Sequence, residues 1–208
     1  MTDRITTGWI LIAAAILGFG GWILWGALMG FPDSSDGDAI IKASSENKDL
    51  TVIILTVASI GFTLMVMGFR AVASNHGKDS VLISIGRFIL IPGLAISLVE
   101  SAANIGIAQA GPGAVADTLF ALSVAAGGIG TSLVFGGLGL IGLNFLIWCT
   151  LPMQKSLNVV VGILMLVGGV VGVVVPLIDY TLQIMFVAYI CLVASALAIA
   201  IPAVRSKE

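Results

Sequence analysis

Long apolar runs alternate with short polar breaks along the whole chain. A helix needs about 20 apolar residues to cross the hydrocarbon core of a bilayer. Six runs meet that need, at roughly 8–30, 50–73, 81–108, 118–151, 157–177 and 180–204. Lipid offers the backbone no hydrogen-bond partners, so each run must satisfy its own amides, which predicts helices rather than open strands. The same constraint overrides the poor aqueous helix propensity of the Val- and Gly-rich stretch 159–175. The fourth run is too long for one straight span. It should either tilt and project or break near Gly127-Gly128-Ile129-Gly130. Most loops are short, which implies antiparallel neighbours. The pattern therefore predicts an all-α polytopic membrane protein, with six transmembrane helices in one bundle and a single domain over 1–208. The first run exceeds the 7–15 residues of a signal-peptide core, and neither a basic leader nor a clear A-x-A site accompanies it. A retained first transmembrane helix is expected.

The charges in the breaks set an orientation. The first break, 31–49, carries Asp33, Asp36, Asp38, Glu46 and Asp49 against Lys42 and Lys48. Asp117 and Asp179 fall on that same side. Arg4, Arg70, Lys78, Arg87, Lys155, Arg205 and Lys207 all fall on the other. The positive-inside rule then places both termini in the cytoplasm, as an even number of spans allows. A multi-pass protein of the cell inner membrane is expected. Trp9 and Trp148 fall at the cytoplasmic interface, where amphipathic rings are favoured. Trp22 and Trp25 lie deeper, as lipid-facing or packing bulk, and Arg87 is expected to snorkel to headgroups.

Composition narrows the class further. Hydrophobic residues make up 59% and charged residues 10%, the net charge is −2 and the mean hydropathy is +1.15. Soluble domains carry about 25% charged residues. An ordinary soluble domain, a disordered chain and a nucleic-acid binder are all excluded.

Few motifs survive inspection. Gly137-Leu138-Gly139-Leu140-Ile141-Gly142 matches GxGxxG in letters, but a dinucleotide site needs a strand before it and a helix opening there. The stretch Gly127 to Ser132 hints at a phosphate loop without its Lys, and reads better as a bend or a tight helix contact. Asp33, Asp36 and Asp38 resemble a calcium-loop fragment, but position twelve is Ser44 where a Glu is needed. Asp36 or Asp38 capping a short outer helix is the better reading, with Asp38 and Lys42 as an i,i+4 pair. Cys149 and Cys191 form no CxxC pattern and read as small buried hydrophobes. No His lies within a span, so a bis-His haem has no ligands. No Lys lies mid-span for a Schiff base, and no HExxH pattern exists. Enzymatic activity, metal and cofactor are not expected.

Glu100 is the most informative residue. It lies in the third span about two turns from the outer end, where an ionisable side chain is costly and a functional hypothesis by default. Asn104 and Ser97 lie one turn away on either side. Asn144 and Thr131 of the fourth span and Gln183 of the last are possible partners. Glu100, Asn104, Ser97 and Asn144 are therefore the candidate intramembrane polar site. Glu100 is expected to be neutral, donating to an amide or carbonyl on a neighbouring span. Gly93, Ser97 and Ser101 form a ridge of small residues that permits close helix approach. Ala102, Gly106 and Ala110 continue it, and Gly26/Gly30 and Gly168/Gly172 are shorter pairs. The ridge fits packing within the bundle or a homo-oligomer interface.

Three stretches carry a family likeness: Gly86-Arg87-Phe88 leading to Val99-Glu100-Ser101-Ala102, then Phe135-Gly136-Gly137-Leu138-Gly139-Leu140, then Leu151-Pro152 with Asn158 and Gly162-Ile163-Leu164. Over about 81–175 the chain resembles a family of small bacterial six-helix membrane proteins classed as a domain of unknown function. That resemblance implies the six-helix fold and the importance of Glu100, but no activity. Two functions remain in view. One is a structural or accessory membrane protein that packs with other membrane subunits or with itself. The other is a small transporter or proton-coupled carrier using Glu100, for which three spans followed by three would permit an inverted repeat.

Overall fold

The computed structural model describes residues 2–205 and is all-α. Lys207, counted above, lies outside the described residues. The first helix, α1, is built from Thr2–Ala14, a π-helical turn at Ala15–Phe19 and Gly20–Leu28. Its backbone stays right-handed through both junctions. Then follow α2 (Gly37–Glu46), α3 (Lys48–His76), α4 (Val81–Ala110), α5 (Ala114–Trp148), α6 (Lys155–Ile178) and α7 (Met185–Arg205). All but α2 are long and apolar enough to cross a membrane.

The six long helices pack in sequence order, and α7 closes the ring against α1. Leu11, Phe69, Leu90, Phe135, Met165 and Ala196, one from each, belong to one continuous core. Contacts between α4 and α5 are the most extensive, followed by those between α5 and α6. Glycine explains why. Gly86 meets Gly137, and Gly139 meets Gly169, so closely that no β-carbon could be added without moving backbone. The π-turn of α1 serves a similar approach, because Gly18 lies directly on Gly61 of α3.

Several boundaries differ from the sequence reading. α5 runs unbroken for 35 residues through Gly127–Gly130. Packing on two sides supports a helix there that glycine alone would weaken. It ends at Cys149, which adopts a left-handed conformation at φ 49°. The last helix starts at Met185, leaving Tyr180 in the preceding turn. The outer helix α2 is capped by Asp36, whose carboxylate accepts from the Ala39 N–H at 3.0 Å. Trp25 is buried rather than lipid-facing, in an edge-on pair with Trp22.

The two ends of the bundle differ in charge. Gly8 packs on Ala203 and Val204, and Arg4 donates to the Pro152 carbonyl at 2.7 Å. Both ends of the described chain thus share a side with the α5–α6 turn. Asn144, near the end of α5, holds the α3–α4 turn to that same side. Arg4, Lys78, Lys155 and Arg205 gather there, with Arg70 and Arg87 about two turns in. The opposite end carries α2 and the acidic residues Asp33, Asp36, Asp38, Asp117 and Asp179. Ser35 holds the Asp33 carboxyl below the ordinary carboxylate range, and Thr181 does the same for Asp179, in each case through a backbone N–H and a hydroxyl.

Candidate functional site

Glu100 lies on the face of α4 that meets α5, and α5 makes room for it. A β-carbon at Gly127 would fall 2.8 Å from both Cδ and Oε1 of Glu100 and would also collide with the Tyr180 ring. One turn along α4, Ser97 is accommodated the same way, because a β-carbon at Gly130 would fall 2.5 Å from its backbone N and its Oγ. The Gly127-Gly128-x-Gly130 stretch is therefore a tight helix contact whose missing side chains make space for polar ones.

The hydroxyls above the carboxyl come from elements far apart in sequence. Tyr180 O–H donates to Glu100 Oε1 at 3.0 Å. The Tyr180 oxygen lies 3.3 Å from that of Tyr189 on α7. Thr131 Oγ1 of α5 lies 3.3 Å from the Tyr189 hydroxyl and 3.5 Å from that of Tyr180. The result is a triangle of three hydroxyls with one corner bonded to a carboxyl. The Tyr189 ring is fixed from below by an edge-on contact with Phe135 at 5.3 Å. Chemically, the arrangement supplies one hydrogen bond to an otherwise costly acid and ties α4, α5 and the start of α7 together.

Not every sequence candidate joins this cluster. Asn104 is buried one turn away, but its Nδ2 donates to the Glu100 main-chain carbonyl at 3.1 Å, not to the carboxyl. Ser97 is buried with its Oγ unpartnered. Gly93 packs on Val134 and Leu133 of α5, whereas Ser101 turns toward a groove between α3 and α4. Asn144 does not belong to the cluster. It lies near the other end of α5, where Oδ1 accepts from Lys78 N–H at 3.1 Å, and Nδ2 donates to Lys78 O at 3.0 Å and to Ser80 Oγ at 2.8 Å. Gln183 is exposed on the turn before α7. Where an amide or carbonyl on a neighbouring span was expected to partner Glu100, a tyrosine hydroxyl does so. Tyr180 and Tyr189 were missed, although they are the only two tyrosines in the chain. Their rarity, and their position around the start of the last span, were the available signal.

No protein-family model matches this chain, and comparison with curated proteins and with solved structures finds no match either.

Proposed function

We propose that this chain is an integral, multi-pass protein of the cell inner membrane, structural or accessory in type, packing with other membrane subunits or with itself. Its termini face the cytoplasm, since the basic end of the bundle is the one retained there under the positive-inside rule. The observation that carries the structural reading is the setting of Glu100. Its carboxyl is taken up by the Tyr180 hydroxyl and a glycine-lined helix contact. A buried polar group satisfied in this way fixes the register of the helices that meet there.

The test is reconstitution into liposomes with an internal pH dye and, separately, a sodium-sensitive dye. Wild-type protein should give no proton or cation flux above empty liposomes, and Glu100→Gln should behave the same. A flux that disappears in Glu100→Gln would replace the structural reading with a carrier. Membrane residence is checked independently: the chain should stay in the pellet after alkaline carbonate extraction.

A further inference from the structure

Arg70 and Arg87 count toward the basic side of the bundle, and their placement is more specific than that count requires. Arg70 lies six residues before the end of α3, and Arg87 six residues after the start of α4. A four-residue turn joins these antiparallel helices, so the two arginines stand level, about 9 Å from the helix ends at 1.5 Å per residue. Helical phase puts both on the faces that line the groove between α3 and α4 deeper in the bundle. Arg70 shares the helix face of Thr63 and Ser59, and Arg87 that of Leu98 and Ile105. Their Nε atoms are buried and without a hydrogen-bond partner. No acidic residue occurs in α3 after Asp49 or in α4 before Glu100. Asp79, in the joining turn, is the nearest acid along the chain, and among the described residues neither arginine is paired with it, so two like charges stand at one seam without a bonded counter-charge.

Depth and shape indicate what would balance them. Helices of 29 and 30 residues are about 45 Å long and overhang a hydrocarbon core of about 30 Å by roughly 7 Å at each end. The arginine level therefore coincides with the boundary between headgroups and acyl chains. Deeper along the same seam, α3 and α4 part around a cavity of about 360 Å³ that opens to the surface, lined by Ser59, Thr63, Leu98 and Ala102 among others. Three of its four hydroxyls are turned to their own helix: Thr56, Ser59 and Thr63 each donate to a backbone carbonyl at 2.7–2.9 Å, and Ser101 alone leaves a hydroxyl in the lining. The cavity consequently presents mainly methyl and methylene groups. It begins roughly 10–16 Å from the arginines, within reach of an acyl chain that spans half the core. Met67 and Ile91 are exposed between the two levels.

We propose that the α3–α4 seam holds one anionic phospholipid of the cytoplasmic leaflet, its phosphate on Arg70 and Arg87 and one acyl chain in the cavity. Basic pockets between membrane helices on the cytoplasmic side select anionic headgroups. Guanidinium groups bind phosphate through paired hydrogen bonds, and the remaining basic residues of this end add long-range attraction. The proposal rests on the membrane reading given above.

The test is thermal unfolding of the purified protein in detergent, titrated with phosphatidylglycerol, with phosphatidylcholine of the same chains, or with inorganic phosphate. Phosphatidylglycerol should raise the unfolding midpoint saturably; the other two should not. In the Arg70→Gln/Arg87→Gln double variant, the apparent affinity for phosphatidylglycerol should fall roughly tenfold or more, as expected when two basic contacts to the headgroup are lost. Ala102→Phe, which fills the cavity and leaves both arginines, should also weaken binding. Lys155→Gln, at the same end but off the seam, should not. Equal responses to the two lipids would overturn the proposal, as would an unchanged titration in both seam variants. A response to inorganic phosphate alone would mean a free anion site. Release of the chain by carbonate extraction would instead defeat the membrane reading itself.

Discussion

Removing the Tyr180 hydroxyl is the sharpest probe of the Glu100 cluster. Tyr180→Phe keeps the ring that fills the space over Gly127 and deletes only the oxygen. Three contacts go with it, of 3.0, 3.3 and 3.5 Å. Only the first is short enough to count as a full hydrogen bond. Glu100→Ala removes the same bond from the other side. Buried hydrogen bonds give about 1 kcal/mol net, and more when one partner is charged. Interhelical bonds in membrane proteins average about 0.6 and reach about 1.7 kcal/mol in double-mutant cycles. Each single variant should therefore lose about 1–2 kcal/mol. The double variant should lose less than their sum, by about 1 kcal/mol. The assay is equilibrium unfolding in mixed micelles, followed by tryptophan fluorescence, on wild type, both singles and the double. Additivity within about 0.3 kcal/mol, the range seen for independent sites, would mean that the hydroxyl does not hold the carboxyl, and the account of the cluster would fail.

Other outcomes follow from the same structure. Asn144→Ala should cost about 2–3 kcal/mol in the same unfolding assay, because it strips three bonds from the α3–α4 turn. A loss below 0.5 kcal/mol would contradict that role. Ser97→Leu should be more harmful than Ser101→Leu, since Ser97 abuts the backbone of Gly130 whereas Ser101 borders a cavity. Overpacking at Ser97 should cost about 1–3 kcal/mol or more, and the reverse ranking would show the helix faces to be misassigned. Asp36→Ala should lose about 1 kcal/mol of helix-cap stabilisation, seen as faster amide exchange confined to α2. With Cys149 and Cys191 replaced by Ser, a Cys at position 45 should react with an impermeant maleimide added outside cells, and one at position 74 should not. Labelling in the opposite pattern would invert the topology.

Six long helices were legible because lipid-length apolar runs leave few alternatives. The capped outer helix was legible because Asp36 precedes an amphipathic segment by one residue. What stayed hidden has a common cause. Glu100 was visible as a lone acid, but its partner comes from 80 residues away, and no local pattern announces a contact at that separation. Asn144 was placed with Glu100 because both are polar and apolar-flanked, although an amide can serve a turn as readily as a neighbouring acid. The Gly127–Gly130 stretch left a choice between bend and close contact. Only the neighbour decides it, since glycine permits both.

The helix with two glycine-lined faces has a consequence for how the chain is made. α5 carries seven glycines, and its most apolar stretch is the least apolar of the six long helices. The translocon sorts segments by their own apolarity, before neighbours can help. Under the membrane reading proposed above, the helix at the centre of the contact network is therefore the one least able to enter the bilayer alone. On the same reading it should rely on α4, already synthesised, to receive it, and on α6 to cover its other glycine-lined face. Leucine at Gly137 would ease its insertion while driving a side chain into the Gly86 carbonyl, so biogenesis and final packing pull this helix toward opposite sequences.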